Sequence, residues 1–340
     1  MPLRIGLIGA GANTRTMHIP GFRKCDDVEI RGVVNRSRES SQRIAAEFSI
    51  PLVFDSPEAL CASPEIDAVC IGTWPYRHRE FTIMALEAGK HVLCEARMAM
   101  DLEEAQDMLA ASERNPGLVA QLVPAPFDFK LGPTITRLID EGALGDVLEV
   151  AVTVLNGSGL DPRTPLHWRQ RADYSGKNVM TFGIFVEVIH RWLGDHAEVL
   201  AAGDIVIGER PDPESGGPFP VTVPDSYVVT GRLARGARLT YHFSSMAAGA
   251  DSNGVTVFGS KATLRWKMGD TAVLQPHGAE AAALVPDPGT DRGWRVEEDF
   301  VASIREGAPV RLTNFPDGVR YMRVIDAAHT SYTTGQRVGV

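Results

Sequence analysis

The alternation of strand-like and helix-like segments over the first third of this 340-residue chain constrains its fold more than any other feature. Short β-branched runs lie at Leu3–Ile8, Glu29–Val34, Leu52–Phe54, Ala68–Gly72, His91–Glu95 and Leu118–Val123. Between them, Ser40–Phe48, Glu80–Ala88 and Leu102–Glu113 carry apolar residues at three- and four-residue spacing, which predicts helices. Elements that alternate in this way imply right-handed crossovers and a parallel sheet covered on both faces. Ala68–Gly72 and most of Leu3–Ile8 are continuously apolar, as strands buried on both sides must be. Ser56, Ser63 with Pro64, and Asp101 read as helix starts, and Gly89 as a helix stop.

After about residue 124 the rhythm changes. Val147–Leu155, Ala197–Ile207, Tyr227–Leu233, Arg238–Ser244, Val255–Phe258 and Ala262–Lys267 read as longer, partly alternating strands joined by close turns, which suits antiparallel hairpins. One apolar helix (Val179–Leu193) interrupts them, and two more, near Trp294–Arg305 and Gly318–Thr333, follow. Glu209–Pro224, rich in Pro and Gly, reads as a surface loop. Two domains are expected: residues 1–123 for a nucleotide, and 124–340 for substrate walls and an assembly surface.

Gly9-Ala10-Gly11 follows the first strand and precedes a helix. The first glycine permits a tight turn, and the second lets the backbone approach a pyrophosphate at the helix N-terminus. Thr14 stands where a third glycine is usual, so looser strand–helix packing is expected there. Beyond the second strand the chain reads Asn35-Arg36-Ser37-Arg38, with no carboxylate before Glu39. Two guanidiniums and a hydroxyl suit a ribose 2′-phosphate, which favours NADP; arginines solvated on a helix's first turn would leave NAD in place.

Lys and Arg total 34 against 43 Asp and Glu, a net charge of −9 with no basic block, so nucleic acid and anionic membrane are not expected partners. Cys25, Cys61, Cys70 and Cys94 show no metal spacing and fit buried thiols in a reducing, cytoplasmic setting. The nine histidines are dispersed, so no metal site is expected. No apolar run reaches the ~18 residues of a membrane span, and the opening Met-Pro-Leu-Arg enters a strand pattern without a signal-peptide pattern.

Four stretches resemble the Gfo/Idh/MocA family of NAD(P)-dependent oxidoreductases: Ile5–Gly11, His18-Ile19-Pro20, Pro64–Gly72 and, most specifically, His78–Glu95. The run Phe300–Val338 is similar to the family's closing segment. The resemblance implies a Rossmann domain, doubly wound and parallel, then an α+β domain with an open, mostly antiparallel sheet. It also implies a homodimer or homotetramer built through that sheet, and an active site between the domains. Gly9, Gly11, Ala12 and Asn13 match the pyrophosphate turn. Thr73, Trp74, Pro75 and His78 match the loop along the cofactor, and Glu95 matches the acidic residue of the E-K-P motif near the nicotinamide ribose.

The family's proton-handling groups are missing. Ala96 stands at the catalytic lysine, Thr181 and Phe185 at the aspartate and histidine of D-x-G-x-H, and Val188 at a further aspartate. A positioned acid/base is worth roughly 10²–10⁴-fold in such chemistry. Candidate replacements are Arg97 as an anion anchor, His167 and Tyr174 ahead of the apolar helix, and Glu187, which shares a helix face with His190. A Glu187–His190 pair inside the second domain is the structural alternative. Three functions follow: an oxidoreductase acting on a lactol, hydrated aldehyde or sugar-like substrate with non-standard acid/base residues, a catalytically silent NAD(P)-binding sensor or scaffold, or a cofactor-retaining glycoside-cleaving enzyme. The apolar replacements point to a less polar substrate than a sugar.

Overall fold

A computed structural model of the chain describes residues 2–250 and 253–340. Strands β1 (Leu3–Ile8), β2 (Val28–Val34), β3 (Leu52–Val53), β4 (Ala68–Ile71), β5 (His91–Cys94) and β6 (Ala120–Leu122) form one sheet in the order β3-β2-β1-β4-β5-β6. Every neighbouring pair is parallel. Helices α1 (Ile19–Lys24), α2 (Arg38–Glu47), α3 (Pro57–Ala62), α4 (His78–Glu87) and α5 (Leu102–Arg114) make the crossovers. All four residues of β4 are buried, which is what its unbroken apolar run requires. Ser37, Ser56 and Asp101 cap α2, α3 and α5 by accepting the backbone N–H of Ser40, Ala59 and Glu104. Ser63 starts no helix: its hydroxyl accepts the Glu65 N–H at 3.1 Å and turns the chain into β4.

The second sheet has nine strands: β7 (Val147–Leu155), β8 (His196–Asp204), β11 (Ser226–Leu233), β12 (Arg238–Ser244), β13 (Gly254–Gly259), β14 (Ala262–Lys267), β15 (Thr271–Pro276), β16 (Ala282–Ala283) and β17 (Val338–Gly339). The hairpin β9 (Glu209–Pro211) and β10 (Pro218–Pro220) stands apart from it. Only β7 with β12 is parallel; the remaining pairs are antiparallel. Of α6 (Gly132–Asp140), α7 (Ala172–Ser175) and α8 (Phe182–Leu193), the last lays an aromatic face on the sheet. Phe182 meets Tyr241 with centroids 5.0 Å apart and Phe185 meets Phe243 at 5.8 Å.

Two differences from the sequence expectations have clear causes. Glu209–Pro224 is not a plain surface loop but contains the hairpin, held by Arg210, which is 2% exposed and donates to the carbonyls of Asp161 and Gly159. Its prolines occupy an isolated pair that needs few ladder hydrogen bonds. The two compact units are also not two contiguous segments: one comprises residues to Pro124 with Arg295–Val319, the other Ala125–Trp294 with Arg320–Val340. Helix α9 (Val296–Glu306) and the first turn of α10 (Phe315–Thr334) therefore count with the parallel sheet. The Leu122 N–H donates to the Thr313 carbonyl at 3.0 Å, and Gln121 bridges Asn314, which adds the returning chain to the edge at β6.

Candidate dinucleotide site

The parallel sheet reverses its strand order between β1 and β4, and open α/β sheets bind ligands beyond the strand C-termini at such a point. Gly9 lies there with φ +82°, a left-handed conformation that glycine takes without strain. A Cβ on Gly9 would sit 2.6 Å from Thr73 Cγ2, and one on Gly11 would meet only the Gly72 carbonyl at 3.6 Å. The turn is thus tight at its first glycine and open at its second. Gly11, Ala12 and Asn13 are exposed and lead into a helical turn whose leading N–H groups have no intrahelical acceptor. Thr73 Oγ1 is buried beside the turn without a hydrogen-bond partner. These residues fit the diphosphate of a dinucleotide.

Thr14 does not loosen the packing. It is 1% exposed, its hydroxyl donates to the Gly9 carbonyl at 3.2 Å, and a Cβ on Gly72 would lie 2.0 Å from its Oγ1. The glycine that allows close approach has moved from position 14 to position 72. Thr14–His18 forms a wide π-type turn ahead of α1, with the Ile19 N–H returning to the Thr14 carbonyl. Pro20, which has no N–H to donate, follows at once, and such register shifts accommodate its missing bond.

A cavity of about 230 Å³ extends from Gly9 past Asn35 and Arg36 to Asp55, Tyr76 and Arg77. Asn35 ties the glycine turn to α2: its side-chain oxygen accepts the Ala10 N–H at 2.7 Å, and its amide donates to Ser40. The Ser37 hydroxyl is occupied as the α2 cap, and Arg38 is ion-paired with Asp55. Of the polar groups expected to meet a 2′-phosphate, Asn35 and Arg36 line the cavity. Trp74 and Tyr76 stand with ring centroids 6.5 Å apart in the loop after β4, where Pro75 is buried. His78 is fully buried and braces that loop, with Nε2 at 2.9 Å from the Thr73 carbonyl and Nδ1 at 3.0 Å from that of Arg97. Burial, opposed by these carbonyls, holds its pKa below the usual value.

Glu95 directly follows β5 with both oxygens engaged. Oε1 accepts from Asn13 and from His18 Nε2 at 3.0 Å, while Oε2 accepts the Ala96 N–H at 3.1 Å. His18 Nδ1 lies 2.5 Å from Oε1 of Glu297 on α9. Burial alone would lower the His18 pKa, but Glu297 and Glu95 outweigh it and raise it to about 9. Burial would raise the Glu95 pKa, and the His18 cation with Asn13 brings it below the usual range instead. Sequence reading missed Glu297. The available signal was a glutamate at a buried position of an amphipathic helix, opposite Gly21 on another.

The remaining candidates divide differently from expectation. Arg97, which belongs to the first unit, is 1% exposed. Glu187 does not pair with His190: its oxygens accept the Ala125 N–H at 3.1 and 3.2 Å, and Arg191 pairs with it at 2.6 Å. His190 instead meets His196 at 3.0 Å. His167 caps a short turn, its Nδ1 accepting the Arg169 N–H at 3.2 Å, so its neutral form carries the proton on Nε2 and is a donor there. Tyr174 lies under the Arg171 guanidinium, 4.1 Å from ring centroid to Cζ, and Arg171 also covers Phe219 of the hairpin. Phe185 and Val188 are fully buried in the second unit's core, so they give no support to an apolar substrate wall. Among the described residues no His/Cys/Asp/Glu group could hold a metal, and no helix is long and apolar enough to cross a membrane.

Comparison with known proteins agrees with this geometry. Residues 3–121 match the family described as Oxidoreductase family, NAD-binding Rossmann fold, and residues 134–265 match the GFO/IDH/MocA C-terminal domain. An uncharacterized oxidoreductase of Synechocystis sp. is 27% identical over 267 residues, 77% of this chain and 71% of that protein. The levoglucosan dehydrogenase of Pseudarthrobacter phenanthrenivorans is 28% identical over 263 residues, 69% of this chain and, at 65%, just under two thirds of that one. A solved levoglucosan dehydrogenase in complex with NADH and L-sorbose superposes with a TM-score of 0.89 at 23% identity, covering 99% of this chain and 98% of the other. At that identity the likeness concerns the fold.

Proposed function

Because the chain belongs to the Gfo/Idh/MocA family of NAD-binding oxidoreductases, we propose that it moves a hydride to or from a small carbonyl or hydroxyl substrate of the sugar, lactol or hydrated-aldehyde class. The observation that carries this reading is the Gly9–Gly11 turn at the strand-order reversal, with the cavity leading from it past Arg36. The levoglucosan dehydrogenase relative supports the substrate class, since levoglucosan is an anhydro sugar. A nicotinamide dinucleotide bound there supplies the hydride acceptor or donor. The first unit's own part is to bind and orient: Gly9 and Gly11 make room, Asn35 fixes the turn, His78 braces the loop after β4, and Glu95 presents a carboxylate to ribose hydroxyls.

Oxidising a hydroxyl also releases a proton, which Ala96, Thr181 and Phe185 cannot take. Arg97 cannot act as a base because its pKa exceeds 12. His167 and Tyr174 remain the candidates for proton transfer, and Glu187, committed to Ala125 and Arg191, is assigned a structural part. The second sheet is the proposed assembly surface of a homodimer or homotetramer, and the free thiols suit a cytoplasmic setting.

Turnover tests the reading. The protein with NAD or NADP and a panel of anhydro sugars, aldoses, lactols and aldehydes is expected to change nicotinamide absorbance with at least one class. Saturable dinucleotide binding without turnover in either direction would instead establish a silent sensor, the reading that the missing proton carriers favour. Preference for a 2′-phosphate rests on Arg36. Arg36→Asp should weaken NADP binding on the order of 10-fold or more while sparing NAD, and equal loss for both removes the NADP assignment.

A further inference from the structure

The first unit buries three ionisable groups in one chain of contacts, Glu95–His18–Glu297, and cofactor binding as described uses only the first. His18 and Glu297 are 0% and 1% exposed at their side chains, and Glu95 14%. Glu297 reaches His18 across the site of a missing side chain: a Cβ on Gly21 would lie 2.3 Å from Glu297 Oε2. Other titratable groups sensing these carboxylates are Cys70, Cys94 and His78, which feel Glu95, and Cys25 and Cys70, which feel Glu297.

A neutral imidazole has one N–H, and between two carboxylates it must turn a lone pair to one of them. The contact to Glu297 is the shorter, 2.5 Å against 3.0 Å, so a neutral His18 would keep its proton on Nδ1 and turn the lone pair to Glu95. A protonated His18 donates to both. We propose that Glu297 is a positioning residue for the dinucleotide site: by holding the second proton on His18, it keeps an N–H and a positive charge on Glu95 at neutral pH. Without that charge, Glu95 would be a poorly oriented anion beside the turn that receives a diphosphate, and dinucleotide binding would weaken. This rests on the reading of Glu95 as a cofactor contact.

The test uses the full chain, Glu297→Gln, Gly21→Ala and Glu95→Gln. Titration of the His18 ring by NMR without cofactor is expected to show it charged at pH 8 in the wild type. In Glu297→Gln its titration should fall by about 1–3 units, the usual influence of one neighbouring carboxylate. Gly21→Ala, which displaces the Glu297 carboxylate without touching His18, should move it the same way and provides the readout if Glu297→Gln does not fold. NAD affinity of Glu297→Gln should match the wild type at pH 6 and be on the order of 10-fold weaker at pH 8, the loss expected for a hydrogen bond to a charged group. An unshifted His18 titration, or equal affinities at both pH values while Glu95→Gln binds weakly, overturns the inference and leaves the Glu95 reading intact. Unchanged affinity in Glu95→Gln overturns that reading, and the inference with it.

Discussion

His18 in the first unit and the His190–His196 pair in the second are all deep in the protein, and they arrive at opposite charge states. In the first, His18 lies between Glu95 and Glu297 and is held protonated to about pH 9. In the second, His190 meets His196, and His196 Nε2 lies 2.8 Å from the Tyr241 hydroxyl. Burial, with a smaller push from Arg320, drops the His190 pKa to about 3, and burial with His190 drops His196 far below the usual value. Burial disfavours the cation in both places; two carboxylates within hydrogen-bond reach reverse the outcome in one of them. The charged cluster adjoins the glycine turn, whereas the neutral one packs among Phe182, Tyr241 and Phe243 as core.

The largest effect should separate the two clusters directly. His18→Leu leaves Glu95 and Glu297 buried without their cation and is expected to cost about 3–5 kcal/mol, the usual result of breaking a buried ion pair. His190→Leu removes one neutral hydrogen bond and should cost about 1–2 kcal/mol, read from urea unfolding of both variants. Similar costs would mean that His18 carries no charge.

Opposite pH dependence should follow, with the sign set by the direction of each shift. The His18 pKa is raised, so its contribution is complete below the unfolded value of 6.5 and is lost as pH rises through about 9, by roughly 3 kcal/mol. The His190 and His196 values are depressed, so their neutral forms stabilise the fold above 6.5, and that contribution disappears as pH falls toward about 3. Thermal melting from pH 6.5 to 9.5 should decline in the wild type and be flatter in His18→Leu. The smallest effect belongs to Arg38→Ala, whose partner Asp55 is exposed; a stability change within about 0.5 kcal/mol is expected, because such pairs are screened by water.

What the sequence made legible was local. The parallel order of the first six strands follows from the spacing of apolar runs, and the Ser56 and Asp101 caps and the Gly9 turn were each visible within a few residues. The Glu297 contact to His18 spans 279 positions, and a glutamate on the buried side of an amphipathic helix signals that it has a partner without saying which. Gly72 in place of a third glycine was hidden for the same reason: it touches Thr14 only because β1 and β4 are neighbours. The Glu209–Pro211 hairpin was obscured because its prolines mimic a loop while the buried Arg210 sets the structure. Helical spacing put Glu187 beside His190, but Arg191, one turn on, and the Ala125 N–H took both its oxygens.

Whether the first unit's glycine turn receives a dinucleotide is the question on which the rest depends. Calorimetric titration of the full chain with NAD and NADP, alongside Gly9→Val, addresses it most directly. A β-branched residue at φ +82° is strained, and its Cβ would meet Thr73 at 2.6 Å. Saturable binding by the wild type, lost in a folded Gly9→Val, is the predicted result. A folded wild type that takes up neither dinucleotide, or a Gly9→Val that binds equally well, would contradict the account.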